Sequence, residues 1–343
     1  MRTISIVVPM RNEVQCIEGL MEQIARQDFE GEIEVFVGDG RSDDDSVAVL
    51  GAAATRLGLD VTVVDNPLLL ASAALNECIK RATGDLIVRM DCHARYPDDY
   101  VSACVRSSQE TLADNVGGPT LVEGETVTER AVACALESPF GGIGWTRLSG
   151  ETPIEHDTVY CGAFRPEAFR KAGLFSPQLA TNEDSEFNFR LRRAGGRVVL
   201  DPRIRSWYTP RSTLRGVFVQ YRRYGQHKVQ VMRMYRRPTS GRSLAPLALC
   251  ASIGGLAIAS IWSPLCRWAL VGELATYAVL ALVFAALAVR ARGESWRLYA
   301  LVVAVFPIFH VSYAIGMLGG LVRPLTLERA PRLTTAEEVE SHG

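Results

Sequence analysis

The sequence lacks the glycine-rich loops with which many nucleotide-binding proteins hold phosphates. No Gly-x-Gly-x-x-Gly turn follows the first predicted strand, and no Walker-type loop occurs in the 343 residues. The eight cysteines include no Cys-x-x-Cys pair and no cysteine and histidine spacing typical of a zinc site. These absences argue against a dinucleotide-binding or P-loop protein and predict reduced, structural cysteines.

Acidic residues are missing from one long stretch. Residues 203–242 contain eleven Lys and Arg and no Asp or Glu, although the formal net charge of the chain is -1. Such a basic block predicts an anionic partner, either nucleic acid or lipid headgroups. Three apolar segments follow, 244–262, 268–289 and 298–322, each near the roughly 20 residues that cross a bilayer. The block is therefore predicted to face membrane lipid and not nucleic acid.

The distribution of arginine predicts how these segments are oriented. Cytoplasmic loops carry an excess of Lys and Arg, which puts residues 215–242 and the domain before them on the cytoplasmic side. Arg290, Arg292 and Arg297, between the second and third segments, agree with this orientation. We predict a multi-pass protein of the cell membrane with a cytoplasmic N-terminal domain and no signal peptide. Two or three crossings are open, because Pro307 and nearby glycines also suit a third segment that re-enters.

Short apolar strands alternate with amphipathic helices in the first part of the chain. The predicted strands are 4–8, 33–37, 61–64 and 86–91, with a helix after each of the first three. This alternation predicts an α/β domain with a Rossmann-like, mainly parallel sheet. Pro9, Asp39 and Asp91 then follow carboxyl ends of strands, so they converge on the edge where open α/β sheets bind ligands.

Asp91 and His93 are the candidate metal ligands at this edge. If the chain stays extended after the fourth strand, the two side chains point the same way, because side-chain direction repeats every second residue. A carboxylate and an imidazole so placed suit one divalent cation beside a phosphate. The alternative is that Asp91 caps a turn and His93 is a surface histidine.

Asp39 is the candidate contact for the sugar hydroxyls or the base of a nucleotide. A carboxylate can accept two hydrogen bonds from such groups. The alternative is a helix-capping aspartate in the Gly-Asp-Gly turn that contains it.

The segment TNEDSEFNFRLRRAG, residues 181–195, begins with a crowded polar turn. Glu183, Asp184 and Glu186 at a helix start complement the helix dipole. A carboxylate there that points into a cleft can also act as a general base, and the two interpretations can hold for different residues. Residues 214–235 follow as one or two amphipathic helices, rich in arginine and aromatic residues, predicted to lie in the membrane interface.

Taken together, these motifs resemble the family 2 glycosyltransferases, which have the GT-A fold. The likeness covers roughly residues 4–224 and rests on VVPMRNE, GDGRSDDDS, RMDCHARYP and NEDSEFNFRLRRAG. The resemblance implies a nucleotide-sugar site that comprises Pro9, Glu13, Asp39, Asn76 and Asp91.

The same resemblance assigns the remaining site residues. Asp91 and His93 occupy the Asp-x-Asp metal motif, and Asp184 matches the catalytic base of a Glu183-Asp184 pair. Gln220, Arg223 and Tyr224 match a Gln-x-x-Arg-Trp-like motif for the acceptor or diphosphate, with Tyr where processive members have Trp. His93 replaces the second Asp of the metal motif, and neutral imidazole favours Mn²⁺ over Mg²⁺.

The implied activity is inverting transfer of a sugar from a nucleotide diphosphate sugar to a polyprenyl-linked acceptor. A closer likeness to exopolysaccharide-synthesising members favours UDP-glucose as donor. The layout is a GT-A domain over 1–240 that ends in interfacial helices, a membrane region over 244–322 and a disordered tail over 323–343. Two alternatives are a polyprenyl-phosphate sugar synthase and a non-catalytic, nucleotide-binding membrane subunit of a polysaccharide assembly complex.

Overall fold

The computed structural model describes residues 1–142, 152–177, 179–236 and 241–322. The contacts between residues divide the chain into two compact units. The first holds Met1–Thr120 and Ser149–Tyr208, and the second holds Leu121–Leu148 and Thr209–Leu325. The predicted disordered tail lies outside the described residues, and the domain boundary at residue 240 stays a prediction.

The first unit is an alternation of strands and helices. Its strands are β1 (Thr3–Met10), β2 (Glu32–Asp39), β3 (Val61–Asp65), β4 (Leu86–Arg89), β5 (Ala94–Arg95) and β6 (Asn115–Gly118), then β7 (Thr120–Val122) at its boundary, β8 (Ile154–Glu155), β9 (Tyr160–Phe164), β10 (Val198–Leu200) and β11 (Ser206–Tyr208). Its helices are α1 (Ile17–Ala25), α2 (Ser46–Leu57), α3 (Ala71–Ile79), α4 (Tyr100–Thr111), α6 (Pro166–Ala172) and α7 (Glu183–Arg193).

Eight strands form one sheet in the order β3-β2-β1-β4-β9-β6-β10-β8. The first four are parallel to one another, and β9 runs antiparallel to both of its neighbours. Alternate residues of β1 enter two cores on opposite faces: Ile6 and Val8 pack in the core that includes α1, and Val7 in the core that includes Phe164. The prediction of a mainly parallel α/β sheet is confirmed.

The strand register brings the predicted strand ends to one edge. Met10 lies opposite Asp39, and Val7 lies opposite Arg89. The predicted end of β4 was two residues too late, since the strand stops at Arg89. The backbone N–H of Ala94 donates to the carbonyl of Asp91 at 3.2 Å, so the chain turns after β4 and is not extended.

The second unit is helical. Its helices are α5 (Val127–Glu137), α8 (Leu214–Tyr235), α9 (Ala245–Ala259), α10 (Pro264–Ala291) and α11 (Tyr299–Val322). Three helical segments, Gly241–Ala259, Pro264–Ala291 and Trp296–Val322, are long and apolar enough to cross a membrane. The helix α11 continues through Pro307 and does not turn back.

Close packing of glycines joins α8 to α11. A Cβ atom on Gly225 would lie 2.1 Å from the carbonyl oxygen of Tyr313, and one on Gly316 would lie 2.0 Å from that of Arg222. Only glycine therefore permits this separation of the two backbones. The segment 214–235, predicted as one or two amphipathic helices, is the single helix α8. One side of this helix packs against α11.

Candidate active site

A buried arginine at the end of β4 organises the carboxylates of the first unit. The Arg89 guanidinium donates to both oxygens of Asp91, from Nε at 2.7 Å and Nη2 at 2.9 Å. Its Nη1 donates to Oδ1 of Asp184 at 2.7 Å and lies 3.0 Å from Oε1 of Glu183. The Arg89 side chain is 5% exposed. One guanidinium therefore holds three carboxylates, from two distant parts of the chain, in one cluster.

The electrostatics of this cluster differ from those of a surface ion pair. Burial disfavours the charge on Arg89, but Asp184, Asp91 and Glu183 together raise its pKa well above the ordinary value. Burial also raises the pKa of Asp184 to about 7, against the opposing effect of Arg89 and with support from Glu183 and Asp91. Asp184 is thus a more basic carboxylate than an exposed aspartate.

The acidic residues in the first turn of α7 have two different roles. Glu183 and Asp184 contact Arg89, whereas Glu186 is fully buried and accepts hydrogen bonds from Arg190 one turn later at 2.6 and 2.9 Å. Arg190 also donates to the carbonyls of Ala172 and Leu174. Glu186 therefore supports the helix and the preceding loop. Glu183 and Asp184 belong to the cluster around Arg89.

Sequence reasoning did not identify Arg89. The signal is available in the sequence, because a charged residue interrupts the apolar run LIVRM of a strand predicted to be buried. Arg is almost never fully buried unless it is paired. A buried carboxylate partner could therefore have been predicted, although not which one.

Asp91 and His93 lie on either side of the turn after β4. The backbone N–H of Asp91 donates to the hydroxyl of Tyr96 at 2.7 Å, which holds the start of the turn. His93 is 63% exposed, and its Nε2 lies 2.9 Å from Oε1 of Glu13. In the described part of the chain, the cluster of possible metal ligands around His93 contains Glu13 and Cys16 but not Asp91.

Asp39 and Pro9 lie at the same edge of the sheet. Pro9 pairs with Gly38 in the register of β1 and β2, and Asp39 is the last residue of β2. The Asp39 carboxylate accepts hydrogen bonds from the backbone N–H of Ser42 at 3.2 Å and from its hydroxyl at 2.6 Å. Asp39 therefore closes the turn before α2 and does not cap that helix, whose N-cap is Asp45. Its carboxylate keeps further lone pairs for a ligand.

Asn76 is used within the protein. Its side-chain amide donates to the carbonyl of Phe175 at 2.8 Å and accepts from the N–H of Phe175 at 2.9 Å. Both ends of the Asn76 amide therefore hold the backbone at Phe175.

The predicted acceptor motif lies on α8 in the second unit. The amide of Gln220 donates to the hydroxyl of Tyr224 at 2.9 Å, one helical turn away. Arg223 is exposed on the same helix.

The sheet with acidic residues at its edge is typical of a nucleotide-binding α/β domain, and comparison with known proteins identifies the family of this domain. Residues 5–173 match the sequence model of Glycosyl transferase family 2. The chain therefore carries a Glycosyl transferase family 2 domain over residues 5–173.

Two curated relatives and one solved structure resemble most of the chain. The succinoglycan biosynthesis protein ExoA of Rhizobium meliloti (strain 1021) is 29% identical over 296 residues, which cover 82% of this chain and 89% of the relative. A dolichyl N-acetyl-alpha-D-glucosaminyl phosphate 3-beta-D-2,3-diacetamido-2,3-dideoxy-beta-D-glucuronosyltransferase of Methanococcus voltae is 26% identical, over 68% of this chain and 75% of the relative. The fold is similar to that of the mannosyltransferase PcManGT from Pyrobaculum calidifontis, solved with GDP-Man and Mn²⁺ (TM-score 0.64, 21% identity, 92% of this chain and 86% of that one).

Proposed function

We propose that this protein is a membrane-bound, inverting glycosyltransferase of cell-surface glycan biosynthesis. It moves a hexose from a nucleotide diphosphate sugar to a hydroxyl of a polyprenyl-linked oligosaccharide at the cytoplasmic face. The names of the two curated relatives support this reading, since one belongs to succinoglycan biosynthesis and the other acts on a dolichyl-phosphate-linked sugar. UDP-glucose is the favoured donor.

The observation that carries the proposal is the Arg89 cluster. It holds Asp184 at the first turn of α7 with a carboxylate that is 17% exposed, accessible to substrate yet largely removed from water. Asp184 accepts the proton of the acceptor hydroxyl as the oxygen attacks the anomeric carbon. A base whose pKa lies near the pH at which the enzyme works is well suited to this step. One general base typically increases the rate by roughly 10²- to 10⁴-fold. Glu183 positions Arg89 beside it.

The edge of the sheet offers donor atoms of the kinds that bind a divalent cation. Both oxygens of Asp91 accept from Arg89, yet each carboxylate oxygen has two lone pairs, so Asp91 retains acceptor capacity. His93 is exposed and supplies an imidazole nitrogen that suits Mn²⁺. Asp91 and His93 would hold the cation, which offsets negative charge on the leaving diphosphate.

The remaining assignments concern the two substrates. Pro9, Glu13, Asp39 and Asn76, together with Asp91, are assigned to the nucleotide sugar. Gln220, Arg223 and Tyr224 on α8 contact the acceptor or the diphosphate.

The test is release of nucleoside diphosphate by the detergent-solubilised protein. A panel of nucleotide sugars is assayed with Mn²⁺, Mg²⁺ or EDTA, with and without a membrane lipid extract. We expect turnover with one donor, dependent on the cation and stimulated by lipid. Asp184→Asn should lose about 10²-fold or more in turnover while nucleotide affinity is retained.

The matched control is Asp98→Asn, which removes an exposed carboxylate that pairs with Arg26 at the surface of the first unit. It should leave turnover unchanged. A mild effect of Asp184→Asn with full turnover on polyprenyl phosphate would contradict the proposal and favour a polyprenyl-phosphate sugar synthase, because a lipid phosphate needs little deprotonation.

A further inference from the structure

Glu13 and His93, which the proposed reaction uses for different ligands, form a cluster with Cys16, which that reaction does not use. One ligand atom from each residue lies within 4.8 Å of the others. The closest pair is Oε1 of Glu13 and Nε2 of His93, at 2.9 Å. A carboxylate, a thiol and an imidazole are all ligands of borderline-soft cations, and three protein ligands with one open position are typical of accessible zinc sites.

Two of the three residues are fixed by the backbone between β1 and α1. The N–H groups of Cys16 and Ile17 both donate to the carbonyl of Glu13 at 2.9 Å, which closes a tight turn. The N–H of Glu13 donates to the hydroxyl of Ser46 at 2.7 Å, so this turn is anchored to α2. Glu13 and Cys16 therefore present their side chains from one rigid segment.

The third residue comes from the neighbouring strand. His93 lies in the turn after β4, and β4 pairs directly with β1. Its exposure of 63% lets a cation enter from solvent and leaves room for a water ligand. The Glu13 side chain is 14% exposed, so the carboxylate forms the wall of the site.

The separation of the Glu13 and His93 atoms suits a zinc ion with little movement, and the Cys16 sulfur lies within 4.8 Å of both. Bond lengths of about 2.0 Å to nitrogen and oxygen give a separation of about 3.3 Å between these ligands in a tetrahedron. The Glu13 and His93 atoms would need to separate by about 0.4 Å. A thiolate ligand favours Zn²⁺ over Mn²⁺, Mg²⁺ and Ca²⁺, which prefer oxygen ligands.

We propose that Glu13, Cys16 and His93 bind a thiophilic divalent cation such as Zn²⁺, and that its occupation inhibits the transferase. The inhibitory part rests on the proposed function. The ion would withdraw Glu13 from the nucleotide and His93 from the catalytic cation. The binding part depends only on the three side chains.

The binding test uses the full-length protein in detergent after removal of metal with a chelator. Zn²⁺ is titrated against a chromophoric chelator, and Co²⁺ is used as a spectroscopic probe of thiolate ligation. We expect the wild type to bind one Zn²⁺ that Cys16→Ser binds at least about tenfold more weakly, since even outer partners of metal ligands contribute roughly 10- to 100-fold. The Co²⁺–thiolate absorption should be absent in Cys16→Ser.

The matched control is Cys266→Ser, another partly exposed free cysteine, located in the second unit. It should keep both the zinc affinity and the cobalt signal. Equal zinc affinity in wild type and Cys16→Ser overturns the site, whatever the transferase does.

The inhibition test adds Zn²⁺ to enzyme turning over with Mn²⁺. We expect inhibition that Mn²⁺ or nucleotide sugar relieves, and at least about tenfold weaker inhibition of Cys16→Ser. Zinc binding at Cys16 without inhibition overturns the inhibitory role alone. Zinc binding by a protein that turns over no donor leaves the site standing and refutes the proposed function.

Discussion

Replacing Arg89 tests whether one guanidinium holds the site together. In Arg89→Met a side chain of similar length remains, but the contacts to three carboxylates are lost, which leaves Asp91, Glu183 and Asp184 close together without a counter-charge. Removing one partner of a buried ion pair costs about 3–5 kcal/mol, mainly because the other charges stay buried and uncompensated. We expect a loss of this size in the free energy of unfolding.

The assay compares thermal unfolding midpoints in detergent, together with turnover. Arg26→Met is the matched control, because Arg26 pairs with Asp98 at the surface with side chains 55% and 63% exposed. Such a pair contributes only about 0–1 kcal/mol. Equal midpoints for Arg89→Met and Arg26→Met would refute the central role of Arg89.

A double substitution separates electrostatics from packing. If uncompensated negative charge causes the loss, Glu183→Gln in the Arg89→Met background should recover part of the stability, although Glu183→Gln alone should not stabilise the wild type to the same extent. Arg89→Lys should be intermediate in stability, because an ammonium restores the charge but cannot fork to both oxygens of Asp91. Additive effects of Arg89→Met and Glu183→Gln would contradict the electrostatic explanation.

Three further outcomes follow from other contacts. Asp91→Ala should weaken nucleotide-sugar binding and metal dependence together, and unchanged affinity in a donor titration would oppose the assigned role. Gly225→Ala should lower the thermal midpoint by an amount corresponding to about 1–3 kcal/mol, because its Cβ would meet the carbonyl of Tyr313, whereas Gly254→Ala, which meets no atom within 4 Å, should not. Burial opposes ionisation of Glu34, but hydrogen bonds from Ser5 and Thr83 prevail and lower its pKa. The ionised Glu34 therefore stabilises the fold at pH values above its ordinary pKa of 4.5, and this stabilisation is lost as the pH falls. The difference in midpoint between wild type and Glu34→Gln should therefore shrink in acid, and a constant difference would refute the linkage.

The edge of the sheet was predictable from local patterns. Alternating apolar strands and helices determine a parallel sheet, and a parallel sheet puts the residues after β1, β2 and β4 at one edge. Residues 182–186 likewise contain more acidic side chains than the capping of one helix requires, which indicated a further role for some of them. Both inferences use only short stretches of sequence and general rules of chirality and capping.

The contacts between those stretches were not predictable in the same way. Asp91 and His93 were expected to point together only if the chain stayed extended, and the turn after β4, held at its start by the hydroxyl of Tyr96, removes that condition. The ion pair between Arg89 and Asp184 joins residues 95 positions apart, so no local pattern defines it. Pairing of this kind depends on how β4 and α7 pack in three dimensions.

The charge of the Arg89 cluster links its structure to the chemistry of a diphosphate. Arg89 neutralises one of the three carboxylates that it contacts, which leaves two negative charges in a largely buried site when all three are ionised. This excess opposes the approach of a nucleotide diphosphate sugar, and the raised pKa of Asp184 is one expression of it. In the proposed reaction, a divalent cation held by Asp91 and His93 would offset this excess and so allow the charged donor to approach.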